Sequence, residues 1–530
     1  MASTSYRGSS GVQTNLAVGG PFSTGTALAM LAVAIALAAH AVDARIPKVW
    51  EDEALASAMV PLVNATATPV PIPSKYYYGI PVRPIYKSYP VYRPDREPAG
   101  YLDWLKQQEP QVAFDAAKLK TLEDWIRAGE IVFDAPIVYG HIFRVPASDL
   151  YLRNPDWYRS TGAPLLKDGS LPFYRYVIRE KGKVEIGANS CGMCHTQVMW
   201  DGSVIKGAQG NFPFDRAYAW DLQNQPKLMR PLTSFMARRV ERLLYSAPWI
   251  HPDAYPEIGS LGSADIAARH EVIPPGVLAR TGSSPYAPAK VADLIGIEER
   301  QYFDATGLIH HRDIGDLMRY AAMNQDGDVL NRYGSFVPVE ALPFILGKVP
   351  TDPAKFTAGR YSDEQLYALA VFLYSLRPPS NPNKPDALAA AGKKVFEREG
   401  CSACHTPPLY TSNKLTLAEG FTPPAGAEKK YDILPISVGT DPNLALKTRR
   451  GTGYYKVPSL KGVWYRSMFG HSGWCATLED WFDPRRTRDD YVPTGFKPYG
   501  AKTYAVKGHP FGLDLSQNDR KALIAYLKTL

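Results

Sequence analysis

Two copies of one short motif carry the clearest chemistry in the sequence. Both read Cys-x-x-Cys-His, with Cys191, Cys194 and His195 in the first motif and Cys401, Cys404 and His405 in the second. Two thiols three positions apart can add to the vinyl groups of one haem, and the following imidazole can bind its iron. Histidine supplies only 10 of the 530 residues, so chance is a poor explanation for both motifs. We therefore predict two covalently bound haem c groups, each holding one iron.

Three other uses of a cysteine pair compete with haem attachment. A structural zinc site brings its second pair within roughly 15–20 residues, whereas about 200 residues separate the two pairs here. A thioredoxin-type redox pair requires a βαβ context, and it does not need a histidine after the second cysteine. Two structural disulfides stay open as an alternative, because an oxidising compartment would permit them.

Residues 1–44 have the pattern of a targeting segment. An uncharged apolar run from Ala27 to Ala39 precedes small residues that suit cleavage by a signal peptidase. The run is shorter than the about 20 residues that span a bilayer, which favours a cleaved signal over an anchor. Because Arg7 is the one basic residue before the run, an uncleaved anchor stays open. Either alternative predicts a periplasmic or secreted protein, associated with a membrane only if the segment is uncleaved.

Length and composition describe an ordinary globular protein. The 530 residues are enough for two or three domains, and 45% hydrophobic and 21% charged residues are typical values. The net charge of +8 comes from basic residues that are scattered along the chain. This distribution argues against nucleic-acid binding, although it could help to dock an acidic electron-transfer partner.

Residues 45–110 are rich in proline and tyrosine. Prolines at this spacing block helices and weaken any central strand, so we expect an extended arm on the domain surface. The many tyrosines argue against free disorder. After the arm, apolar residues at helical spacing predict a helix from about Asp115 to Ala128.

Pieces of the first half of the chain recur in the second half, in the same order. The matching pieces are Ala128–Phe133 with Ala391–Phe396, Lys290–Gly296 with Lys456–Gly462, and Phe303 and Gly307 with Phe469 and Gly473. Ser362 and Ser516 each precede apolar residues at i, i+3, i+4 and i+7, the pattern of amphipathic helices with serine N-caps. Such a repeat indicates two copies of one structural unit.

The repeat and the motifs together predict a mainly α fold. We expect two cytochrome c-like haem domains, at residues 111–377 and 385–530, joined by a Pro/Asn/Ser-rich linker at 378–384. Each domain would contain a first helix, a haem-binding turn, a loop-rich middle and a closing helix packed across the first. The first domain carries a long insertion, at about 134–188, ahead of its haem motif.

The second half contains four further segments that form a pattern: Lys456–Val463, Phe469–Gly473, Ala476–Glu479 and Gly508–Ser516. Together with the two Cys-x-x-Cys-His motifs they resemble the bacterial di-haem cytochrome c peroxidase superfamily, over the chain from about residue 110 to its end. The chain length, the arm and the segment Gln209–Arg216 look more like the rubber-oxygenase branch of that superfamily. The resemblance implies an oxidoreductase with two haem c groups.

The two halves differ in the histidines that could bind iron from the second side of the haem. His509 lies shortly before Ser516, and the equivalent place before Ser362 in the first half is Lys355. His471 aligns with Ala305, so neither histidine has a counterpart in the first half. A haem with two protein ligands passes electrons, whereas a haem with an open face can bind peroxide or dioxygen.

We therefore predict unequal haems, named here haem 1 and haem 2 after the first and second motifs. Haem 2 would be six-coordinate, with His405 and His509 as iron ligands, and haem 1, on His195, would have an open face. His471 is the second choice as a ligand of haem 2, while the resemblance implies that it forms hydrogen bonds in the haem pocket.

His310 and His311 are the candidates for acid–base catalysis at haem 1. They precede an apolar helical pattern, and one of them could bind the iron or move a proton between the oxygens of peroxide. The alternative is that both are solvated or cap the helix. Phe212, Phe214 and Trp200 could line an apolar chamber or could simply pack against the haem edge.

Three functions remain open from the sequence. In the first, haem 2 accepts electrons from a small redox protein and haem 1 reduces hydrogen peroxide. In the second, haem 1 activates dioxygen to cleave an apolar, polyisoprene-like substrate. In the third, both irons are closed by protein ligands and the chain is a non-enzymatic electron carrier.

Overall fold

Two pairs of crossing helices form the framework that holds the cysteine motifs. The computed structural model describes residues 46–139, 151–341, 348–356 and 358–530, and the predicted targeting segment lies outside them. In chain order the α-helices are α1 (Asp52–Ala58), α2 (Ser74–Gly79), α3 (Tyr101–Lys106), α4 (Leu122–Asp134), α5 (Pro155–Thr161), α6 (Cys191–Cys194), α7 (Phe214–Gln223), α8 (Arg230–Tyr245), α9 (Ser263–Glu271), α10 (Ile314–Ala322), α11 (Asp328–Leu330), α12 (Asp363–Ser375), α13 (Ala387–Arg398), α14 (Ala427–Lys430), α15 (Asn443–Leu446), α16 (Leu478–Trp481) and α17 (Gln517–Lys528).

The strands are short and are divided among small sheets. They are β1 (Pro69–Val70), β2 (Ser88–Tyr92), β3 (Val138–Tyr139), β4 (Ser170–Glu180), β5 (Lys183–Ala188), β6 (Thr196–Val198), β7 (Val204–Lys206), β8 (Val277–Leu278), β9 (Ala289–Lys290), β10 (Tyr302–Phe303), β11 (Ile309–His310), β12 (Arg332–Tyr333), β13 (Leu415–Leu417), β14 (Ile433–Ser437) and β15 (Tyr454–Lys456). Helices account for more of the described chain than strands do, so the prediction of a mainly α fold is confirmed.

Helix α4 packs across α12, and α13 packs across α17 in the same way. At the first crossing a Cβ on Gly129 would overlap the carbonyl group of Ala368. At the second crossing a Cβ on Gly392 would overlap the carbonyl group of Ala522. Because glycine lets two backbones approach closely, the glycine that the sequence repeats is what permits both crossings.

The predicted starts of α12 and α17 are confirmed. The Ser362 hydroxyl accepts a hydrogen bond from the Gln365 N–H at 3.1 Å, and the Gln365 side chain accepts one from the Ser362 N–H at 2.9 Å. The Ser516 hydroxyl accepts a hydrogen bond from the Asp519 N–H at 3.1 Å. These bonds satisfy N–H groups that have no partner within the helix.

Helix α4 begins later than predicted. Residues Ala116–Lys118 form a separate 3-10 turn, and α4 runs from Leu122 to Asp134. The Thr121 hydroxyl accepts from the Asp124 N–H at 3.1 Å, and the Asp124 carboxylate accepts from the Thr121 N–H at 2.9 Å. This reciprocal capping box fixes the start of the helix, a boundary that apolar spacing alone had misplaced.

The arm at residues 45–110 is less extended than predicted. It contains α1, α2 and α3, and α2 begins directly after Pro73, where the missing N–H of proline is not needed by the helix. Trp50 is fully buried and stacks on Tyr77 with 4.5 Å between ring centres. Strand β2 carries Pro90 and lies at the edge of a sheet, the position in which a strand tolerates proline.

The described parts of the long insertion, residues 134–139 and 151–188, contribute three strands to one sheet, which was not predicted. Strands β2, β4, β5 and β3 form one antiparallel sheet in that order, so the arm supplies one edge. The core beside this sheet includes Trp157 and Phe173, together with Met193 of the first motif and Phe212. The arm and the insertion therefore support the first cysteine motif from one side.

The two halves meet through a symmetric exchange of backbone hydrogen bonds. The Lys290 N–H donates to the His471 carbonyl at 2.8 Å, and the Lys456 N–H donates to the Ala305 carbonyl at 3.1 Å. Lys290 and Ala305 of the first half are the repeat equivalents of Lys456 and His471. Each half thus bonds to the other through the same two positions, which gives the contact two-fold pseudosymmetry.

Residues 378–384, the predicted linker, carry no helix or strand. The Asn381 side chain donates to the Lys528 carbonyl at 2.9 Å, which ties this segment to the end of α17. In the part of the chain that the structure describes, Pro47–Leu530 forms one compact unit, and no helix there is both long and apolar enough to cross a membrane.

Candidate functional site

The first cysteine motif is one helical turn that follows the sheet. Helix α6 contains both cysteines, and the Ser190 hydroxyl caps it by accepting from the Met193 N–H at 3.0 Å. A Cβ on Gly210 would overlap the Cys194 carbonyl, so the segment after the motif passes directly against it. In the second motif a 3-10 turn, Cys401–Ala403, takes the place of α6.

Both motif histidines are oriented by equivalent backbone carbonyls. His195 Nδ1 lies 2.9 Å from the Ala292 oxygen, and His405 Nδ1 lies 3.1 Å from the Pro458 oxygen. Ala292 and Pro458 are the same position of the repeat. An Nδ1–H that donates to a carbonyl leaves Nε2 with its lone pair free, which is the form of imidazole that binds a metal.

The same histidines are deep in the protein, and this favours their neutral form. Desolvation lowers the pKa of His195 to about 4, although its bond to Ala292 acts in the opposite direction. Desolvation also lowers the pKa of His405. Both residues are nevertheless half-buried rather than fully enclosed.

Two arginines repeat a second feature of the motif surroundings. Arg300 donates to the carbonyls of Asp293 and Ile295, and Arg466 donates to the carbonyls of the equivalent Ser459 and Lys461. These carbonyls lie in the loops that also orient the two motif histidines. The side of each candidate site that carries the motif histidine therefore has the same arrangement in both halves.

His509 faces His405 at the second motif. Their ring centres are 6.4 Å apart, and the rings are inclined by 54°. Two imidazoles bound to one metal from opposite sides would have ring centres about 6 Å apart, since a metal–nitrogen bond is about 2 Å long. His509 Nδ1 is buried and has no hydrogen-bond partner within the described protein. The spacing of this pair fits a haem iron held between two histidines.

The conformation of His509 is held by a buried arginine. His509 has φ of 44°, in the left-handed region that side chains other than glycine rarely adopt. Arg486 is fully buried and donates to the carbonyls of Gly508 at 3.0 Å and His509 at 2.8 Å. It also donates to Val506 at 2.5 Å and to Trp481 at 2.8 Å.

His471 takes a different place. It stacks on Tyr455 with ring centres 4.3 Å apart, and its Nε2 lies 3.2 Å from the Tyr455 hydroxyl. Trp474 packs against the opposite side of the imidazole, with 4.5 Å between ring centres. Desolvation lowers the pKa of His471 to about 4. The structure therefore brings His509, rather than His471, opposite His405.

The structure does not leave His311 free for acid–base work. Its Nδ1 lies 2.5 Å from the Arg300 carbonyl and its Nε2 lies 2.6 Å from the Tyr374 hydroxyl, so both ring nitrogens already have partners. His310 stacks on Tyr302 with 5.0 Å between ring centres. Within the described residues neither histidine is in ring contact with His195.

Two polar residues that the sequence did not single out lie beside the first motif. Gln325 Nε2 is 3.0 Å from the Cys191 sulfur, and Arg280 Nη1 is 3.6 Å from the Cys194 sulfur. Gln325 lies in a π-helical turn, Met323–Gly327, and its Oε1 is buried without a partner in the described protein. Such turns are frequent at functional sites. The polar residues of this segment did not predict a π-helical turn.

The other candidates for haem 1 are dispersed. Lys355, which stands where the first half would need a counterpart of His509, is exposed. Phe212 packs into the core beside the sheet, whereas Trp200 is 95% exposed at the turn between β6 and β7. Trp200 therefore does not share an apolar chamber with Phe212, whereas Phe214 is in ring contact with Phe212, with 6.3 Å between ring centres.

The cysteines themselves fit attachment of a cofactor. All five, including buried Cys475, are free thiols, which contradicts the alternative of disulfides within the motifs. Within the described residues no three His, Cys, Asp or Glu side chains converge as a metal-ion site. Paired free thiols in one turn, a histidine with Nε2 available and the His405–His509 spacing together fit a covalently attached haem.

No known protein family matches the chain by sequence, and no curated protein matches it. Among solved structures, one of the hydrazine synthase of Kuenenia stuttgartiensis, pressurised with xenon, is similar over 60% of this chain and 92% of its own. The identity is 15% and the TM-score is 0.27. A MauG-like protein associated with microbial copper homeostasis is similar over 37% of this chain and 67% of its own, with 18% identity and a TM-score of 0.22.

Proposed function

We propose that the protein is an extracytoplasmic di-haem c-type oxidoreductase that reduces hydrogen peroxide at haem 1 with electrons delivered through haem 2. Cys191 and Cys194 attach haem 1, and Cys401 and Cys404 attach haem 2. When bound, the haems supply the iron chemistry by which hydrogen peroxide takes up two electrons and two protons and leaves as two waters.

One observation carries this proposal: the two halves share the proximal arrangement but differ on the opposite side. His195 and His405 make the same carbonyl hydrogen bond in both halves. Opposite His405 lies His509, whereas Lys355, its repeat equivalent, is exposed. A site closed by two histidines suits electron transfer, and a site with one suits binding of a small oxidant.

The residues beside the first motif support peroxide rather than an apolar substrate. Gln325 offers an amide that can donate or accept a hydrogen bond, and Arg280 offers a fixed positive charge. Such groups orient a small polar oxidant and stabilise negative charge that develops when its O–O bond breaks. Phe212 belongs to a packed core, so this residue does not support an apolar substrate chamber of the kind that the oxygenase alternative requires.

The location and the partner follow from the same chemistry. A targeting segment at residues 1–44 and covalently attached haems both suit a periplasmic or secreted protein. A small redox protein would deliver electrons one at a time to haem 2, on the side of the molecule formed by α13 and α17. The net positive charge of the chain favours a donor with an acidic docking surface.

The decisive experiment compares the wild type with His509→Ala. The purified protein should contain two haems, one low-spin and one open, and should consume peroxide only when a reduced donor is supplied. His509→Ala should convert haem 2 to high spin, and added imidazole should restore the low-spin spectrum. Lys355→Ala is the matched control and should change neither haem.

Three results would overturn the proposal. If both haems are low-spin and unchanged by peroxide, cyanide or carbon monoxide, the protein is an electron carrier. If His509→Ala changes only haem 1, the assignment of the two sites is reversed. Consumption of dioxygen with a polyisoprene-like substrate, and none of peroxide, would favour the oxygenase.

A further inference from the structure

Four basic residues meet where the two halves contact each other. They are Lys290 and Arg300 of the first half and their repeat equivalents, Lys456 and Arg466. We call them the basic cluster. The backbone exchange described above places the two lysines on either side of the pseudosymmetry axis, because each donates its N–H across the contact.

The basic cluster holds more positive charge than its neighbours neutralise. Asp293 pairs with Arg466 at 2.7 Å and also accepts from the Tyr465 hydroxyl at 2.9 Å. Asp304, the next nearest carboxylate, pairs with Arg450 at 3.3 Å. Within the described residues neither lysine amine forms an ion pair: the Lys456 amine reaches only the Tyr302 carbonyl, at 3.5 Å.

Such an arrangement is costly without an anion. Desolvation and the neighbouring arginines lower the pKa of Lys456 to about 7, and desolvation with Arg466 lowers that of Lys290 to about 8. Cations taken out of water are stabilised only when counter-charges and hydrogen bonds replace their hydration. The unpaired amines therefore indicate an anionic ligand that belongs between the two halves.

The basic cluster also lies beside both candidate haem sites. Asp293 follows Ala292, the residue whose carbonyl orients His195, and Arg300 donates to the carbonyl of Asp293 in the same loop. Arg466 is bound to the loop that includes Pro458, whose carbonyl orients His405. The four cations are thus fixed to the loops that determine where each haem sits.

We infer that the basic cluster binds the propionate carboxylates of both haems and so joins the two cofactors through one shared charged site. The inference rests on the proposed function, since it requires a haem at each motif. Carboxylates at the edge of an otherwise apolar ring match a site of this kind, where the lysine amines act as point charges and the arginines, which are held by loop carbonyls, add positive charge. The repeat explains why each half contributes one lysine and one arginine.

The test uses the complete, haem-loaded protein and variants that remove one charge: Lys290→Gln and Lys456→Gln. Removing a cation beside a haem favours the oxidised iron, so the reduction potentials of both haems should fall together. The ratio of reduced to oxidised haem at a fixed potential should drop about tenfold, as expected for one partly screened buried charge. Redox-difference infrared spectra should show shifted propionate carboxylate bands.

The controls separate the inference from the function on which it rests. Lys456→Arg keeps the charge and should restore potentials and infrared bands, while Lys393→Gln, on the exposed face of α13, should change neither. If the wild type holds two haems with the expected spectra but the cluster variants behave like Lys393→Gln, the inference is wrong and the proposed function stands. If the wild type lacks haem at either motif, the proposed function fails first.

Discussion

At the scale of single residues, Arg486 helps to fix the backbone of His509, the residue proposed as the second iron ligand of haem 2. Its guanidinium holds four backbone carbonyls, two of which belong to Gly508 and His509. It also lies over the Trp481 ring at 4.5 Å. A flat guanidinium can satisfy several acceptors at fixed angles, and an ammonium group cannot reproduce that geometry. The unfavourable backbone conformation of His509 is therefore maintained by this one side chain.

Arg486→Lys should loosen His509 without removing it. Losing one charge-assisted hydrogen bond costs about 1.5–3 kcal/mol, so the fraction of haem 2 with a displaced histidine should rise about tenfold or more. The measurement is the affinity of haem 2 for carbon monoxide in the reduced protein. Arg485→Lys is the matched control, because Arg485 is exposed and pairs only with Asp483. Equal carbon monoxide affinities in the two variants would contradict this role.

The sequence singles out the candidate histidines of the site more readily than the residues that surround them. The motifs named His195 and His405, and the mismatch with Lys355 singled out His509, because these inferences need only spacing and the repeat. Gln325 could not be found in this way, since its contact with Cys191 joins positions far apart in the chain. The partners of His311 were equally hidden from the sequence, because Arg300 and Tyr374 come from other segments.

At the scale of elements, the crossings of α4 with α12 and of α13 with α17 depend on one glycine each. Gly392 faces the carbonyl of Ala522 and the Cβ of Tyr526, both on α17. There is no room for even a methyl group between these backbones, so any larger residue must push the helices apart.

Gly392→Ala should therefore destabilise the second half although alanine is the better helix former. Overpacking of this kind typically costs about 1–3 kcal/mol, which exceeds the about 1 kcal/mol that alanine gains in helix propensity. The measurement is the free energy of unfolding in denaturant, followed by far-ultraviolet circular dichroism. Lys393→Ala, one residue on and exposed, should be neutral or slightly stabilising. A stabilised Gly392→Ala variant would contradict the crossing geometry.

Elements were predictable from sequence where local chemistry decides them. Ser362 and Ser516 lie at helix starts because a hydroxyl can cap the N–H groups beside it. The sheet of β2, β4, β5 and β3 was missed because its pairing depends on segments from the arm and the insertion. Pro90 argued correctly against a central strand but did not exclude an edge strand.

At the scale of the whole molecule, one buried ionic group has a pH signature that can be measured. His270 is 1% exposed and lies between Asp215, at 2.7 Å, and Glu241, at 3.0 Å. Burial alone would lower the pKa of the imidazole, but the two carboxylates outweigh burial and raise it to about 10. The folded protein therefore keeps a proton that the unfolded chain releases near pH 6.5.

The free energy of unfolding should consequently decrease as the pH rises from 6.5 towards 10, by up to about 1.4 kcal/mol per pH unit from this group. His270→Gln should remove this slope above pH 8, because glutamine binds no proton. The measurement is denaturant unfolding of both proteins at a series of pH values. His251→Gln, at an exposed position, should retain the wild-type slope. Parallel curves for wild type and His270→Gln would refute the raised pKa.

The symmetric exchange between Lys290, Ala305, Lys456 and His471 has a further consequence. Contacts in which position i meets j while j meets i define the interface of a homodimer with a two-fold axis. In a homodimer of identical chains every substitution appears twice, so both irons would gain or lose a ligand together. In a single chain the two halves can differ in sequence, so a ligand can be present in one half and absent from the other. In the proposed function, a single chain with two unequal halves would allow one iron to be closed by His509 while the other stays open.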